Sequence, residues 1–221
     1  MTQEFEIEIK RKARYSLLGN PQNDISRVWL VCHGYGHLSQ FFIRKFKCLD
    51  DGRTLIVAPE ALSRFYLNGT SGRIGASWMT KEDRENEIAD YIDYLNSVLE
   101  MVVQPLSPKP LISVLGFSQG VATAARWAVS GNFSPQTLTL WSGGLPPDLN
   151  SALAFQRLRM MKLIFAYGDE DEYITAEVIA KQTQYLQQNK IRYFAIPFSG
   201  GHEMQEDVLL QVNDEIKNLH S

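Results

Sequence analysis

A set of short, unbroken apolar runs, spaced by helical patterns, constrains this chain more than any other feature. Residues 28–32 read Val-Trp-Leu-Val-Cys, and residues 55–58, 111–116 and 163–166 have the same character. A strand that is apolar at every position, rather than every second one, is covered on both faces. Residues 137–141 and 193–198 complete the series. Phe5, Ile7 and Ile9 alternate with charge and predict a half-exposed first strand.

Between the runs the period lengthens. In residues 82–103, Ile88, Tyr91, Ile92, Leu95, Leu99 and Val102 recur at three- and four-residue spacing, which predicts an amphipathic helix. Thr80 is its expected N-cap, with Asp83 three residues on. Residues 119–130, 175–189 and 203–219 carry further helices, and 41–48 a shorter one. Strands alternating with helices give an α/β fold with a mostly parallel central sheet of about seven strands, flanked by helices on both faces. There is no internal repeat, and the proline-bearing loop 105–110 is too short to join domains, so residues 1–221 are expected to form one domain. In such sheets ligands bind beyond the carboxyl ends of the strands.

Charge and cysteine usage narrow the partners. A formal net charge of −3 opposes a nucleic-acid footprint. The one dense basic run, residues 10–14, reads as the charge that keeps an edge strand soluble. Two cysteines, Cys32 and Cys48, make no disulfide framework and fit a reducing compartment. Cys32 ends a buried strand, where thiols are usually inert. The first ten residues lack the basic start and apolar centre of a signal peptide, and no apolar run approaches the ~18–20 residues of a membrane span. A soluble, cytoplasmic protein without stable membrane insertion is expected.

Gly116-Phe117-Ser118-Gln119-Gly120 follows a buried strand and opens a helix rich in small residues. G-x-S-x-G in that setting forms a tight turn that thrusts the serine outward, and side chains two residues either side would collide with backbone. Ser118 is therefore the candidate nucleophile, and the Gln119 amide, at a helix N-terminus, a candidate oxyanion donor. A serine needs a base, and histidine has the suitable pKa. His33 follows the 28–32 strand directly and is expected to brace a loop. His37 lies on a loop before a helix on the wrong arm, and His220 is one residue from the C-terminus. His202 follows the last strand after Ser199-Gly200-Gly201, whose glycines let the loop bend back over the sheet. It is the candidate base. The acid should follow the 163–166 strand, where Tyr167-Gly168-Asp169-Glu170-Asp171-Glu172 forms an acidic cluster. Spacing leaves Asp169 and Asp171 both open, and the order serine, acid, histidine is the one this fold uses. The second oxyanion donor should come from His33-Gly34-Tyr35-Gly36, with Tyr35 the choice; each such donor is worth roughly 3–4 kcal/mol.

These pieces together resemble the phospholipase/carboxylesterase family of α/β hydrolases, which includes the acyl-protein thioesterases. The matching elements are His33-Gly34-Tyr35-Gly36, Ala58-Pro59, Ala76-Ser77-Trp78, the Gly116 to Gly120 pentapeptide, Gly168-Asp169-Glu170-Asp171 and Gly201-His202, in family order over most of the chain. The resemblance implies the α/β-hydrolase fold, Asp171 as the triad acid, Tyr35 and Gln119 as oxyanion donors, and no metal or cofactor. The chain departs from the family pattern in two places: Val121 stands where a second glycine is usual, and the element after the acid, which normally carries valine-proline, reads Tyr173-Ile174-Thr175.

Only about twenty residues separate the strand ending near Ser142 from the one beginning near Lys162, too few for a large cap domain. The loop 59–79, with Trp78 and Met79, together with Phe41 and Phe42, is expected to line a substrate pocket, the alternative being that these aromatics are simply core. Arg64 and Arg73 could attract an anionic substrate, but read rather as solvated surface charges. The expected reaction is hydrolysis of a small-molecule carboxylic ester or thioester through an acyl-enzyme on Ser118. Lactone or small-peptide hydrolysis, and a non-catalytic binding module, are the alternatives.

Overall fold

The computed structural model describes residues 1–218. Seven strands form the central sheet in the order β1-β3-β2-β6-β7-β8-β9. They are β1 (Tyr15–Leu18), β2 (Arg27–Cys32), β3 (Thr54–Pro59), β6 (Leu111–Phe117), β7 (Thr137–Trp141), β8 (Lys162–Gly168) and β9 (Tyr193–Phe198). β1 runs antiparallel on β3, with Tyr15 opposite Pro59 and Leu18 opposite Ile56, and every other pairing in this sheet is parallel.

The unbroken apolar runs have the predicted cause. In β2, Val28, Leu30 and Cys32 pack into one core while Trp29 and Val31 enter the other, on the opposite face. β8 divides likewise, Leu163 and Phe165 to one side, Ile164 and Ala166 to the other. The first core is covered by α2 (Arg84–Val103), α3 (Gln119–Ser130), α4 (Ala152–Met160) and α5 (Ala176–Gln188). The second lies under α1 (Ser39–Phe42), the 3₁₀ stretch Ile43–Leu49 that continues it, and α6 (Glu206–Lys217). Burying a leucine-sized side chain stabilises by about 1.5–3 kcal/mol, so both layers hold the sheet in place. Among the described residues no helix is long and apolar enough to cross a membrane.

Four expectations need correction. Residues 5–9 form no strand, and Phe5, Ile7 and Ile9 are exposed. The strand at that edge of the sheet is instead Tyr15–Leu18, antiparallel on β3. The basic run 10–14 is likewise outside any strand: Arg11 donates to the Leu62 carbonyl and Arg14 pairs with Glu60 at 2.6 Å. The loop 59–79 contains an antiparallel hairpin, β4 (Ser63–Asn68) and β5 (Ser71–Ser77). Finally, α2 begins at Arg84 behind a left-handed Asp83, and Thr80 spends its hydroxyl and amide on the Glu87 carboxylate. The last predicted helix is observed as α6; Leu219 and His220 lie outside the described residues.

Candidate active site

Four parallel strands end on one edge of the sheet and present the segments that hold the predicted site residues: β2 leads into His33, Gly34 and Tyr35, β6 into Ser118, β8 into Asp171 and β9 into His202. Ser118 lies between β6 and α3 at φ 54°, ψ −121°, a conformation that costs a non-glycine residue on the order of 1–3 kcal/mol. The turn is tight enough to dictate its glycines. A Cβ on Gly116 would stand 2.3 Å from the Gly120 carbonyl oxygen, and one on Gly120 would stand 2.2 Å from that of Cys32. Val121, fully buried, fills the space beside this turn. It does so against Gly143, where a Cβ would come within 2.6 Å of its Cγ2 and 2.8 Å of the Ser118 carbonyl oxygen.

The imidazole of His202 joins two of the predicted residues. Its Nε2 is 2.8 Å from Ser118 Oγ, and its Nδ1 is 2.8 Å from Asp171 Oδ2 and 3.0 Å from Oδ1. Asp171 Oδ1 also accepts from the amides of Tyr173 and Ile174 at 2.9 and 3.0 Å. The carboxylate is out of solvent contact. Burial opposes its ionisation, but the donors from His202, Ile174 and Tyr173 outweigh it and hold the carboxyl below its usual range. A carboxylate so held fixes Nδ1 as the protonated nitrogen and leaves the Nε2 lone pair for the serine. Asp169 goes elsewhere: its carboxylate accepts from the Gly200 amide at 3.0 Å and shapes the turn before His202.

Trp141, at the end of β7, ties the serine and histidine segments together. Its carbonyl accepts from the Ser118 amide at 2.9 Å, and its indole N–H donates to the Glu203 carbonyl at 2.8 Å. Sequence reasoning placed Trp141 only in a strand; a buried tryptophan at a strand end, whose N–H must find an acceptor, was the available signal.

The two residues predicted to supply amide donors, Gln119 and Tyr35, adjoin the serine turn in different ways. Gln119 is the first residue of α3, so its amide has no acceptor within the helix. Gly34, the neighbour of Tyr35, packs so closely that a Cβ there would be 3.2 Å from Ser118 Cβ. The Tyr35 ring points away, exposed and packed on Phe65 at 5.0 Å. His33 is sealed beneath. Nε2 accepts from the Ala61 amide at 3.0 Å and Nδ1 donates to the Gly34 carbonyl at 2.8 Å. Burial pushes its pKa down to about 4, so it is a neutral brace. Burial raises the Cys32 thiol far above its usual range, and both cysteines are free.

The predicted pocket residues divide. Phe41 and Phe42 line a cavity of about 500 Å³ beside the hairpin, together with His37, Lys45, Arg73 and Ile74. His37 stacks on Phe117 at 5.7 Å between centroids, and Phe117 lies 5.1 Å from His202, so a shared wall of rings separates cavity and triad. His37, set aside from the sequence, is thus at the site. Arg73 lines the cavity, whereas Arg64 approaches Glu60 at 3.5 Å. Trp78 does not line it: its side chain is buried in the core, its ring 5.1 Å from His33 and its indole N–H on the His33 carbonyl at 2.8 Å. Met79 is held with it by the Gln119 side chain, which accepts from the Trp78 amide at 3.2 Å and donates to the Met79 carbonyl at 3.0 Å. The tryptophan is needed to anchor the hairpin's exit, which is why an aromatic next to the site is not exposed to it.

Among solved structures, the chain is similar to maize (Zea mays) acyl-protein thioesterase 2, at 20% identity and a TM-score of 0.70, over 94% of this chain and 99% of that one. It is also similar to the Bacillus cereus carboxylesterase, at 13% identity and a TM-score of 0.67, over 93% and 94% of the two chains. These likenesses establish the α/β-hydrolase fold, here without a cap domain. No curated protein matches the chain. A sequence profile described as phospholipase/carboxylesterase matches residues 15–220, and by that match the chain belongs to the phospholipase/carboxylesterase family of carboxylic ester hydrolases.

Proposed function

We propose that the protein hydrolyses small-molecule carboxylic esters or thioesters through an acyl-enzyme on Ser118. The observation that carries this reading is the unbroken hydrogen-bonded row from Ser118 Oγ through His202 to Asp171. Ser118 Oγ attacks the carbonyl carbon as His202 Nε2 takes its proton. The oxygen, now negative, is held by the amides of Tyr35 and Gln119. The tetrahedral species collapses, and the imidazolium returns the proton to the departing alcohol or thiol. Water then repeats the sequence on the acyl-enzyme and frees the acid. Asp171 stabilises the imidazolium without itself taking the proton. No step calls for a metal or cofactor.

The test is a fluorophosphonate probe together with a panel of p-nitrophenyl esters. The wild-type chain should be labelled at Ser118 and hydrolyse the esters. Ser118→Ala should abolish labelling and lower kcat by at least about 10³-fold. Folded protein that resists the probe would instead identify a binding module, and turnover of lactones or peptides in preference to esters would replace the substrate class.

A further inference from the structure

The cavity beside the β4–β5 hairpin has a composition that a hydrocarbon acyl chain does not explain. Phe41, Phe42 and Ile74 supply an apolar wall, yet Lys45 and Arg73 also line it. Among the described residues neither cation forms an ion pair or a side-chain hydrogen bond. By contrast, Arg64 on the same hairpin approaches Glu60, and Arg44 lies over the Phe41 ring at 5.1 Å. The two segments that build this face, residues 35–49 and 63–77, contain no aspartate or glutamate, in a chain that has 25 acidic residues and a net charge of −3. The remaining titratable wall residue, His37, adds no charge: burial, and then the nearby Lys45 and His202, keep its imidazole neutral. Two unneutralised cations over an apolar wall are complementary to an anion carried on an apolar stem.

We propose that this cavity is a recognition subsite for an anionic group, carboxylate or phosphate, that the ester or thioester substrate carries on an apolar spacer, with Lys45 and Arg73 as its partners. The proposal rests on the acyl-transfer reading and adds a substrate class to it. His37 in the cavity wall stacks on Phe117, which precedes Ser118 in the chain, and the anion is accordingly placed a spacer's length from the scissile carbonyl. It can belong to the acyl part or to the leaving group.

The experiment compares p-nitrophenyl hexanoate with the p-nitrophenyl monoester of adipic acid, which has the same chain length and a terminal carboxylate. A second pair carries the anion on the leaving side: phenyl hexanoate and its para-phosphorylated counterpart. The wild-type protein should favour one anionic ester over its neutral partner by about tenfold in kcat/KM at low salt, as expected for two partly exposed cations. Added salt should erode that preference. The Lys45→Ala/Arg73→Ala chain should lose it, and Lys45→Glu/Arg73→Glu should invert it. Preference in the adipate pair that extends to the hydrolysis of the acyl-enzyme assigns the anion to the acyl part. Preference in the phosphorylated pair, confined to acylation, assigns it to the leaving group. Hydrolysis of the neutral esters with no anionic preference in either pair overturns the subsite and leaves acyl transfer standing. If no ester reacts, acyl transfer fails, and calorimetry with adipic acid monoamide decides the subsite: binding that the glutamate variant abolishes supports it, and no binding overturns it. Both side chains are exposed, and circular dichroism verifies that the variants fold.

Discussion

The ring of Tyr173 meets the imidazole of His202 edge-on, 4.7 Å between centroids, while the Tyr173 amide donates to Asp171 Oδ1 at 2.9 Å. One residue thus touches the proposed base through its side chain and the proposed acid through its backbone. The valine-proline that the family pattern carries in this segment offers no aromatic ring. Replacing Tyr173 by alanine keeps the amide and removes the ring. An aromatic contact of this kind is worth about 0.5–1.5 kcal/mol, so kcat should fall by roughly 2- to 10-fold with little change in thermal midpoint. Steady-state kinetics beside a melting curve will check it.

Asp171→Asn should be far more damaging, for a reason visible in the donors. Oδ1 is engaged by the amides of Tyr173 and Ile174, so an asparagine would leave its oxygen there and turn its NH₂ toward His202. Nδ1 would then have to accept, and Nε2 would carry the proton that should come from Ser118. The expected loss in kcat is about 10⁴-fold with the fold intact. A variant retaining a tenth of the activity would remove Asp171 from the triad.

Trp141→Phe removes only the indole N–H that holds the Glu203 carbonyl. The ring packing survives, and the loss of one hydrogen bond costs about 1–3 kcal/mol where the abandoned acceptor stays buried. The mutation should lower kcat more than it raises KM, because the loop it frees carries the base and not the cavity wall. A rise in KM alone would contradict that assignment.

Stability should depend on pH through His33. Burial lowers its pKa in the folded protein from 6.5 to about 4. The unfolded chain therefore takes up a proton at this residue below about pH 6.5 that the folded chain refuses. Stability is fully present above that pH and declines as the pH falls toward 4, by roughly 3 kcal/mol at the lower end. His33→Gln can donate and accept as the imidazole does but cannot be protonated. It should flatten the dependence between pH 6.5 and 4, as read from urea midpoints. An unchanged slope would place the sensitivity elsewhere.

The sheet was legible because strands covered on both faces leave no ambiguity: Trp29 and Val31 had to be as apolar as Val28 and Leu30, since each pair enters a different core. The hairpin was not, because it stands outside that sheet with its outer part exposed, and its strands carry polar residues and glycines. Its signal was Asn68-Gly69, a turn pair that the structure places at the hairpin tip with Gly69 at positive φ. α4 was overlooked although Ser151 caps it, accepting from the Ala154 amide at 3.1 Å. At the site, Ser118 and His202 could be read from the side-chain types that follow particular strands, whereas spacing left Asp169 and Asp171 both open and only the family resemblance pointed to Asp171. The tryptophan at the end of β7 signalled only that its N–H needs an acceptor, and His37 and Lys45 gave no sign, because their places in the cavity wall depend on neighbours distant in sequence.

The fit of Val121 against Gly143 bears on any attempt to exchange parts with related hydrolases. A nucleophile turn grafted from a chain with glycine after Gly120 would leave a void the size of a valine side chain. That void could not be filled from the other side, because the Ser118 carbonyl oxygen stands 2.8 Å from where a Cβ on residue 143 would go. The start of α3 and the end of β7 are interchangeable only as a matched pair.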